Sequence, residues 1–345
     1  MRGPTARLAG WVVLCLGGAL LLGGCSSGLV AALTPGASPT SALGDDVRFY
    51  VDPEGHAPEA VAALRLTGRT EESRRLDEQI ARHPSATWLT DVPEAVFAEA
   101  RHVTTAAKLD GSVPVLVAYN LPGRDCGQYS AGGAEDIDAY LSWVGSLAAG
   151  IGDQPAVVVL EPDAVAHGLQ GCGSTASNDE RFRMLKEAVT ILKRQPEARV
   201  YVDAGNASWV RDLDALAAAL RSSGVARADG FALNVSNFET TQRSATYGEG
   251  LSRRLDGARF VIDTSRNGAG PPARSADPAS HASWCNPPGR ALGSAPTTRT
   301  SHAQVDALLW VKQPGDSDGA CRAGAPPAGQ WWPAYAADLM ATASR

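Results

Sequence analysis

The chain has 345 residues, 44% of them hydrophobic, with 31 Lys and Arg against 37 Asp and Glu and a formal net charge of −6. No basic run or stripe is present to neutralise phosphates, which excludes nucleic acid as a partner, and the mild acidity suits a neutral ligand. The apolar content is enough for one α/β domain with a full core.

At the N-terminus, residues 1–24 read as an export signal: Arg2 and Arg7 give a basic start, and residues 8–22 form an apolar stretch short for a membrane span. Leu22-Gly23-Gly24-Cys25 resembles the lipobox of bacterial lipoproteins, in which the cysteine is lipidated and becomes the new N-terminus. An ordinary secretory signal cleaved nearby is the alternative. Residues 25–44 are largely Ser, Gly, Ala, Thr and Pro, too poor in apolar surface to order themselves, and read as a tether. The rest, 45–345, is expected to be a single exported domain and a monomer, extracellular or held at the cell surface only by that lipid anchor.

Apolar, β-branched runs follow at 47–51, 87–89, 114–119, 156–160, 199–202, 230–235, 259–262 and 307–311. Between them, 93–107, 134–149, 179–194, 209–222 and 247–255 are amphipathic and rich in Ala, Leu, Arg and Glu, which predicts helices. Strand alternating with helix predicts an α/β fold of parallel strands joined by helical crossovers. Seven or eight such units favour a closed or nearly closed, TIM-barrel-like structure over an open sheet.

In such a barrel, chemistry gathers where strands end. Asp52 follows the first run, Tyr119 and Asp125 the third, Glu161 and Asp163 the fourth. Asp203, Asn206 and Trp209 follow the fifth, Asn234 and Asn237 the sixth, Asp263 and Arg266 the seventh, and Lys312, Asp316 and Asp318 the eighth. A single Asp in that position more often caps a helix or forms a turn; their convergence on one rim points to a site. Eight tryptophans suit a carbohydrate there, because indoles stack on the C–H faces of pyranose rings while amides such as Asn206 and Asn234 bond the hydroxyls. Trp88, Trp209 and Trp284 are expected as platforms, and Trp331-Trp332 as packing.

Cys15 lies in the signal, leaving Cys126, Cys172, Cys285 and Cys321 in the domain. An even count in an exported protein predicts two disulfides, and four cysteines allow three pairings. Cys126–Cys172 and Cys285–Cys321 are expected, since each pair would brace loops that follow neighbouring strands. With no Cys-x-x-Cys and no nearby histidine pair, zinc is not expected.

The segments Val117-Ala118-Tyr119-Asn120-Leu121-Pro122-Gly123-Arg124-Asp125-Cys126-Gly127, Ser130-Ala131-Gly132-Gly133 and Val158-Val159-Leu160-Glu161-Pro162-Asp163-Ala164 resemble the two signature segments of glycoside hydrolase family six, which holds β-1,4-endoglucanases and cellobiohydrolases. The likeness runs from Phe49-Tyr50-Val51-Asp52-Pro53 through Asp203-Ala204-Gly205, Trp284-Cys285-Asn286-Pro287-Pro288-Gly289-Arg290 and Trp310-Val311-Lys312. It implies a distorted parallel barrel and inverting hydrolysis of β-1,4-glucan without a cofactor. Inversion needs a protonated acid at the leaving oxygen and room for water on the opposite face. By motif position Asp163 would be that acid, Asp125 the carboxylate that raises its pKa and helps organise the water, and Tyr119 the group pressing the sugar towards a flattened ring. Lys312-Gln-Pro-Gly-Asp316-Ser-Asp318-Gly319 resembles the family's Lys-x-Pro-Gly-Glu-x-Asp-Gly element, which makes Asp318 the candidate base, with a water chain as its rival, and Lys312 and Asp316 holders of sugar hydroxyls. Glu161 reads as structural, its side chain directed into the barrel interior.

Three positions depart from the family pattern: Asn206 stands for a histidine, Asp316 for a glutamate and Ala131 for a serine near the water. They bear on affinity and chain specificity more than on catalysis. With little sequence to spare for tunnel-forming loops and no visible carbohydrate-binding module, an open cleft, internal cleavage and a soluble or amorphous substrate are expected. The competing reading is a surface lipoprotein that binds glucan with little turnover. A metal-dependent deacetylase lacks a His/Asp ligand cluster.

Overall fold

The computed structural model of the protein describes residues 41, 43–44, 46–172, 178–273 and 283–343. The stretch read as an export signal, Cys25 and most of the expected tether lie outside the described residues. The apolar runs become strands β1 (Thr87–Leu89), β2 (Val115–Ala118), β3 (Ala156–Leu160), β4 (Ala198–Asp203), β5 (Gly230–Leu233), β6 (Arg259–Asp263) and β7 (Val305–Leu309), which neighbour one another in chain order in one sheet. Every pairing is parallel. Parallel strands need both faces covered, which is why these runs are continuously apolar rather than alternating. Alternate side chains such as Val117, Val159, Tyr201, Val261 and Leu309 pack together on the concave side. Their neighbours, including Leu116, Val158, Val202, Phe231 and Phe260, pack outwards against the helices.

The sheet curls into a barrel whose ends do not pair. Across the seam between β1 and β7, Ala86 N donates to Trp310 O (2.9 Å), Gln313 Nε2 to Ala86 O (3.0 Å) and Trp88 Nε1 to Val311 O (2.8 Å). The run at 47–51 does not add an eighth strand. It makes one parallel bridge, Phe49 to Val113, because from Leu116 onward the same edge of β2 is taken by β1. At the N-terminal end of the strands the buried Asp306 accepts from the Tyr201 hydroxyl (2.8 Å) and pairs with Arg259, and Ser41 donates to its carbonyl (2.8 Å).

Five helices lie where amphipathic spacing predicts them: α3 (Pro93–Asp110), α4 (Ile137–Ile151), α6 (Asn178–Leu192), α7 (Leu213–Ser222) and α8 (Thr241–Arg254). Proline opens α3 at its first turn, and Asp136, Asp212 and Thr240 cap α4, α7 and α8 by accepting backbone N–H groups. Gly150 sets the closeness of α3 and α4, since a Cβ there would lie 2.7 Å from the Phe97 carbonyl oxygen and 2.8 Å from the Ala100 Cβ. Four further helices were not legible as such: α1 (His56–Leu66), α2 (Thr70–Leu76), α5 (Ala164–Leu169) and α9 (Pro333–Ala343). Residues of α1, α2 and α9, among them Val61, Leu76, Ala336 and Met340, form a separate apolar cluster around Trp310. That cluster supports the segment following β7. Among the described residues, no helix is long and apolar enough to cross a membrane.

Candidate active site

The loops at the C-terminal ends of the strands enclose a cleft of about 930 Å³ lined by Trp88, Tyr119, Asp125, Asp163, Asn206, Trp209, Trp284, Lys312, Asp316 and Asp318. Asn234 lies elsewhere. It is wholly buried beneath the cleft, its Nδ2 donating to the carbonyls of Asp263 (2.9 Å) and Glu239 (3.2 Å) and its Oδ1 accepting from Glu239 N (3.0 Å). It braces a loop rather than meeting a ligand. Trp331, expected to pack, lines the cleft while also touching the cluster around Trp310.

The chain leaves the strands abruptly. Asp125, Cys126, Glu161, Asp163, Asn234 and Ser236 all have positive φ, between 49° and 70°. Such residues cost of order 1–3 kcal/mol each and persist only where surrounding contacts hold them. The left-handed turn at Glu161 (φ 49°) breaks the pleat of β3. In consequence its side chain does not point into the barrel interior as the pleat predicts. It faces the helical layer, where its oxygens accept from Asn120 N (3.0 Å) and Leu121 N (3.0 Å) beside Tyr140 of α4. Burial raises the Glu161 pKa to about 7 despite those bonds. Its contacts hold together the loops after β2 and β3.

Asp163 begins α5 and opens onto the cleft, with protein crowding its carboxyl on the other sides. Burial pushes its pKa well above the usual carboxylate range, and the charges of Asp203, Asp125 and Asp318 push it further. Asp203 is also shifted upwards, mainly by burial, but its Oδ2 accepts from Asp163 N (2.8 Å) and Gly205 N (3.1 Å). No donor among the described residues bonds the Asp163 carboxyl. Of the two, Asp163 is therefore the better place for a proton. Asp125 accepts from Ser130 N (2.6 Å), and burial raises its pKa against the pull of that bond and of Arg124. Arg124 fixes this loop, donating to Tyr119 O (2.7 Å) and Ser130 O (2.9 Å) with its guanidinium 5.0 Å over the Tyr119 ring. Tyr119 meets Trp88 edge-on at 5.3 Å, and burial keeps its hydroxyl protonated.

Asp318 has the opposite electrostatics. Burial alone would raise its pKa, but Arg266 (2.9 Å to Oδ2) and Lys312 (3.5 Å to Oδ1), with Asn286 N (2.9 Å), more than offset this and hold it below the ordinary value. Arg266 is completely buried, stacked 4.6 Å from the Phe238 ring, and also donates to Ser236 O. The Asn286 side chain returns the contact by accepting from Asp318 N (2.7 Å). Asp263, buried below, accepts from Ser236 N, Ser265 N, Val311 N and Lys312 N and joins the three last loops. One site thus holds a carboxyl kept neutral and a carboxylate kept charged.

The two disulfides connect Cys126 to Cys172 and Cys285 to Cys321, the pairing that position predicts. The first ties the Asp125 loop to the chain just beyond α5, and the second lies against the Asp318 loop, where Asn286 Nδ2 donates to Gly319 O (2.8 Å). His167 stands within ligand distance of Cys126 and Cys172, but both sulfurs are spent on each other. Its imidazole packs edge-on to Trp209 at 5.0 Å, and burial lowers its pKa to about 4, so it is neutral. Asn206 Oδ1 accepts from Ser208 N (3.0 Å) and Trp209 N (3.2 Å), which fixes the turn that carries Trp209.

Asp203, Arg266 and Arg124 stand at the site with no individual role assigned to them from the sequence, and Trp331 joins it where packing alone was expected. For Asp203 and Arg266 the signal was their place after strands; Arg124 acts by reaching back over its own loop, which no spacing rule announces.

Residues 45–343 match the family model described as glycosyl hydrolases family 6. The chain is 43% identical over 297 residues to endoglucanase A of Cellulomonas fimi, covering 86% of this chain but 61% of that protein. It is 39% identical over 325 residues to endoglucanase 1 of Streptomyces halstedii, covering 92% and 95% of the two chains. A solved structure of the endoglucanase Cel6 from Mycobacterium tuberculosis, in complex with methyl-cellobiosyl-4-deoxy-4-thio-β-D-cellobioside, superposes with a TM-score of 0.79 at 43% identity, covering 87% of this chain and 98% of that one.

Proposed function

Since the chain belongs to glycosyl hydrolase family 6, we propose that it hydrolyses internal β-1,4-glucosidic bonds of a glucan with inversion at the anomeric carbon. The observation that carries this reading is the meeting in one cleft of Asp163, whose carboxyl no donor among the described residues bonds and whose surroundings favour its proton, with Asp318, which Arg266 and Lys312 hold towards its charged form. Asp163 delivers its proton to the glycosidic oxygen as the C–O bond breaks, and water attacks the opposite face of the sugar. The half-buried charge of Asp125 and the buried charge of Asp318 stabilise the oxocarbenium-like centre. Asp318 serves as base in the one sense its pairing allows: held towards its charged form, it is a weak acceptor, and it takes the water's proton, directly or through other waters, as the new bond forms. Tyr119, against Trp88, presses on the sugar ring at the point of cleavage. Trp209, Trp284, Lys312, Asp316 and Asn206 bind the flanking glucosyl units.

The relatives at 39–43% identity are named as endoglucanases, which favours internal cutting. The rival reading, a glucan-binding lipoprotein without turnover, has no such support. Two disulfides fit an oxidising compartment, and we place the protein outside the cytoplasm as a monomer, tethered through a lipid on Cys25. Reducing-sugar release from carboxymethylcellulose, with NMR of the first-formed anomer from cellopentaose, tests the activity. Release of the α-anomer is expected; no release, or the β-anomer, rejects the mechanism.

The role of Asp203 has its own measurement. Its charge is one of those that keep Asp163 protonated. Asp203→Asn removes that charge, so the alkaline limb of the kcat/KM profile is expected to move to lower pH. An unmoved limb would remove Asp203 from the control of the acid.

A further inference from the structure

His56 opens α1 and stands in the wall of the cleft, with its side chain 43% exposed. Its Nδ1 lies 3.0 Å and 3.1 Å from the two oxygens of Asp316, a carboxylate that is itself 7% exposed. An imidazole bonded in this way is fixed in orientation, and its Nδ1 proton is committed to the carboxylate. Its Nε2 has no hydrogen-bond partner among the described residues. On the same wall the Lys312 ammonium lies 6.0 Å over the Trp88 ring, and Trp331 bridges the Asp316 backbone. A polar atom with a fixed direction, in the wall of a cleft that also carries a cation and two indoles, matches what a pyranose hydroxyl needs.

We propose that His56 is a substrate-binding residue of this chain, held in place by Asp316 and presenting Nε2 to a hydroxyl of a glucosyl unit beside Trp88. The inference rests on the glucan reading above. It gives the short Asp316 side chain a partner that extends its reach into the cleft, and it makes glucan binding depend on pH. The charged groups facing His56 are Asp316, Glu59 and Lys312. The hydrogen bond to Asp316 raises the His56 pKa, against the opposing effects of burial and Lys312, with Glu59 adding to the rise. Below the raised value Nε2 is a charged donor. Above it, Nε2 becomes a neutral acceptor and the cleft loses a positive charge. Charge-assisted bonds are the stronger, so KM rises with pH across this titration.

For His56→Ala we expect KM for cellotetraose and cellopentaose to rise about 3- to 10-fold at acid pH with kcat little changed, the signature of lost uniform binding. His56→Gln, which keeps a donor, should give an intermediate KM that no longer varies with pH. Thermal unfolding of each variant checks that the fold is intact. An unchanged KM in His56→Ala, a fall in kcat alone, or a KM that keeps its pH dependence in His56→Gln overturns the inference. Calorimetry of cellotetraose binding in an Asp163→Asn background separates this from the activity: Kd weakens by the same factor on adding His56→Ala if the inference holds. An unaltered or undetectable affinity sinks it. Failure of the wild type to release sugar, with that loss of affinity intact, rejects the hydrolytic reading and leaves the binding role standing.

Discussion

Replacing Asp163 with alanine is expected to lower kcat on cello-oligosaccharides by roughly 10²- to 10⁴-fold, the usual worth of a positioned proton donor. The loss should depend on the leaving group. A sugar alkoxide leaves badly without a proton, whereas a dinitrophenolate needs none, so an activated aryl β-cellobioside should retain most of its rate in the same variant. A variant damaged in fold would lose both rates together. The wild-type profile carries the second half of this expectation. Burial, Asp203, Asp125 and Asp318 all raise the Asp163 pKa, so the acid stays loaded at pH values where an ordinary carboxyl is ionised. The alkaline limb of kcat on natural oligosaccharides should therefore reflect Asp163 and be absent for the activated substrate. Equal losses on both substrates would remove Asp163 from the role of proton donor.

Arg266→Ala is expected to destabilise the fold by about 3–5 kcal/mol, because it leaves the buried Asp318 charge without its main partner. Both side chains are almost wholly inaccessible, so solvent cannot screen the loss as it would at the surface. Lys312 remains, but at 3.5 Å and with its ammonium already bonded to Ser317 O. The sign of the pH dependence follows from the lowered Asp318 pKa. Stability from an ionised, paired carboxylate is fully present above its unfolded pKa and is lost as pH falls through the lower folded value. Urea unfolding should thus show the widest gap between wild type and variant near neutrality and a shrinking gap in acid. A difference below about 1 kcal/mol at pH 7, within the range of an exposed ion pair, would mean that Arg266 is not what holds Asp318 charged.

The sequence announced the barrel more clearly than its site. Seven of the apolar runs are strands within a few residues of where β-branched periodicity puts them, because parallel strands buried on both faces leave an unbroken apolar record. The run at 47–51 has the same composition and fails only because β1 occupies the edge it would need. That competition is settled in three dimensions. Helices α1 and α9 have weakly segregated faces, since they pack on a satellite cluster rather than on the sheet. In the site, positions after strands brought Asp125, Asp163 and Asp318 into one cleft, but pleat counting misdirected Glu161 because a left-handed residue ends the count. Asn234 shows the same limit from another side: a rim position says where a residue begins, not which way its amide turns. Partnerships such as Arg266 with Asp318, or His56 with Asp316, join residues far apart in the chain. No local pattern encodes them.

The positive φ of Asp163 bears on how a bound chain could be trapped for study. At φ 70° an alanine removes the carboxyl and also leaves a residue without a short polar side chain in a conformation that aspartate and asparagine tolerate better than other side chains. Alanine at 163 therefore mixes a chemical deletion with a backbone penalty in the turn that begins α5. Asparagine removes the acid alone. A silent protein meant to hold an uncut glucan in a native groove should carry Asp163→Asn, with alanine kept as the kinetic control.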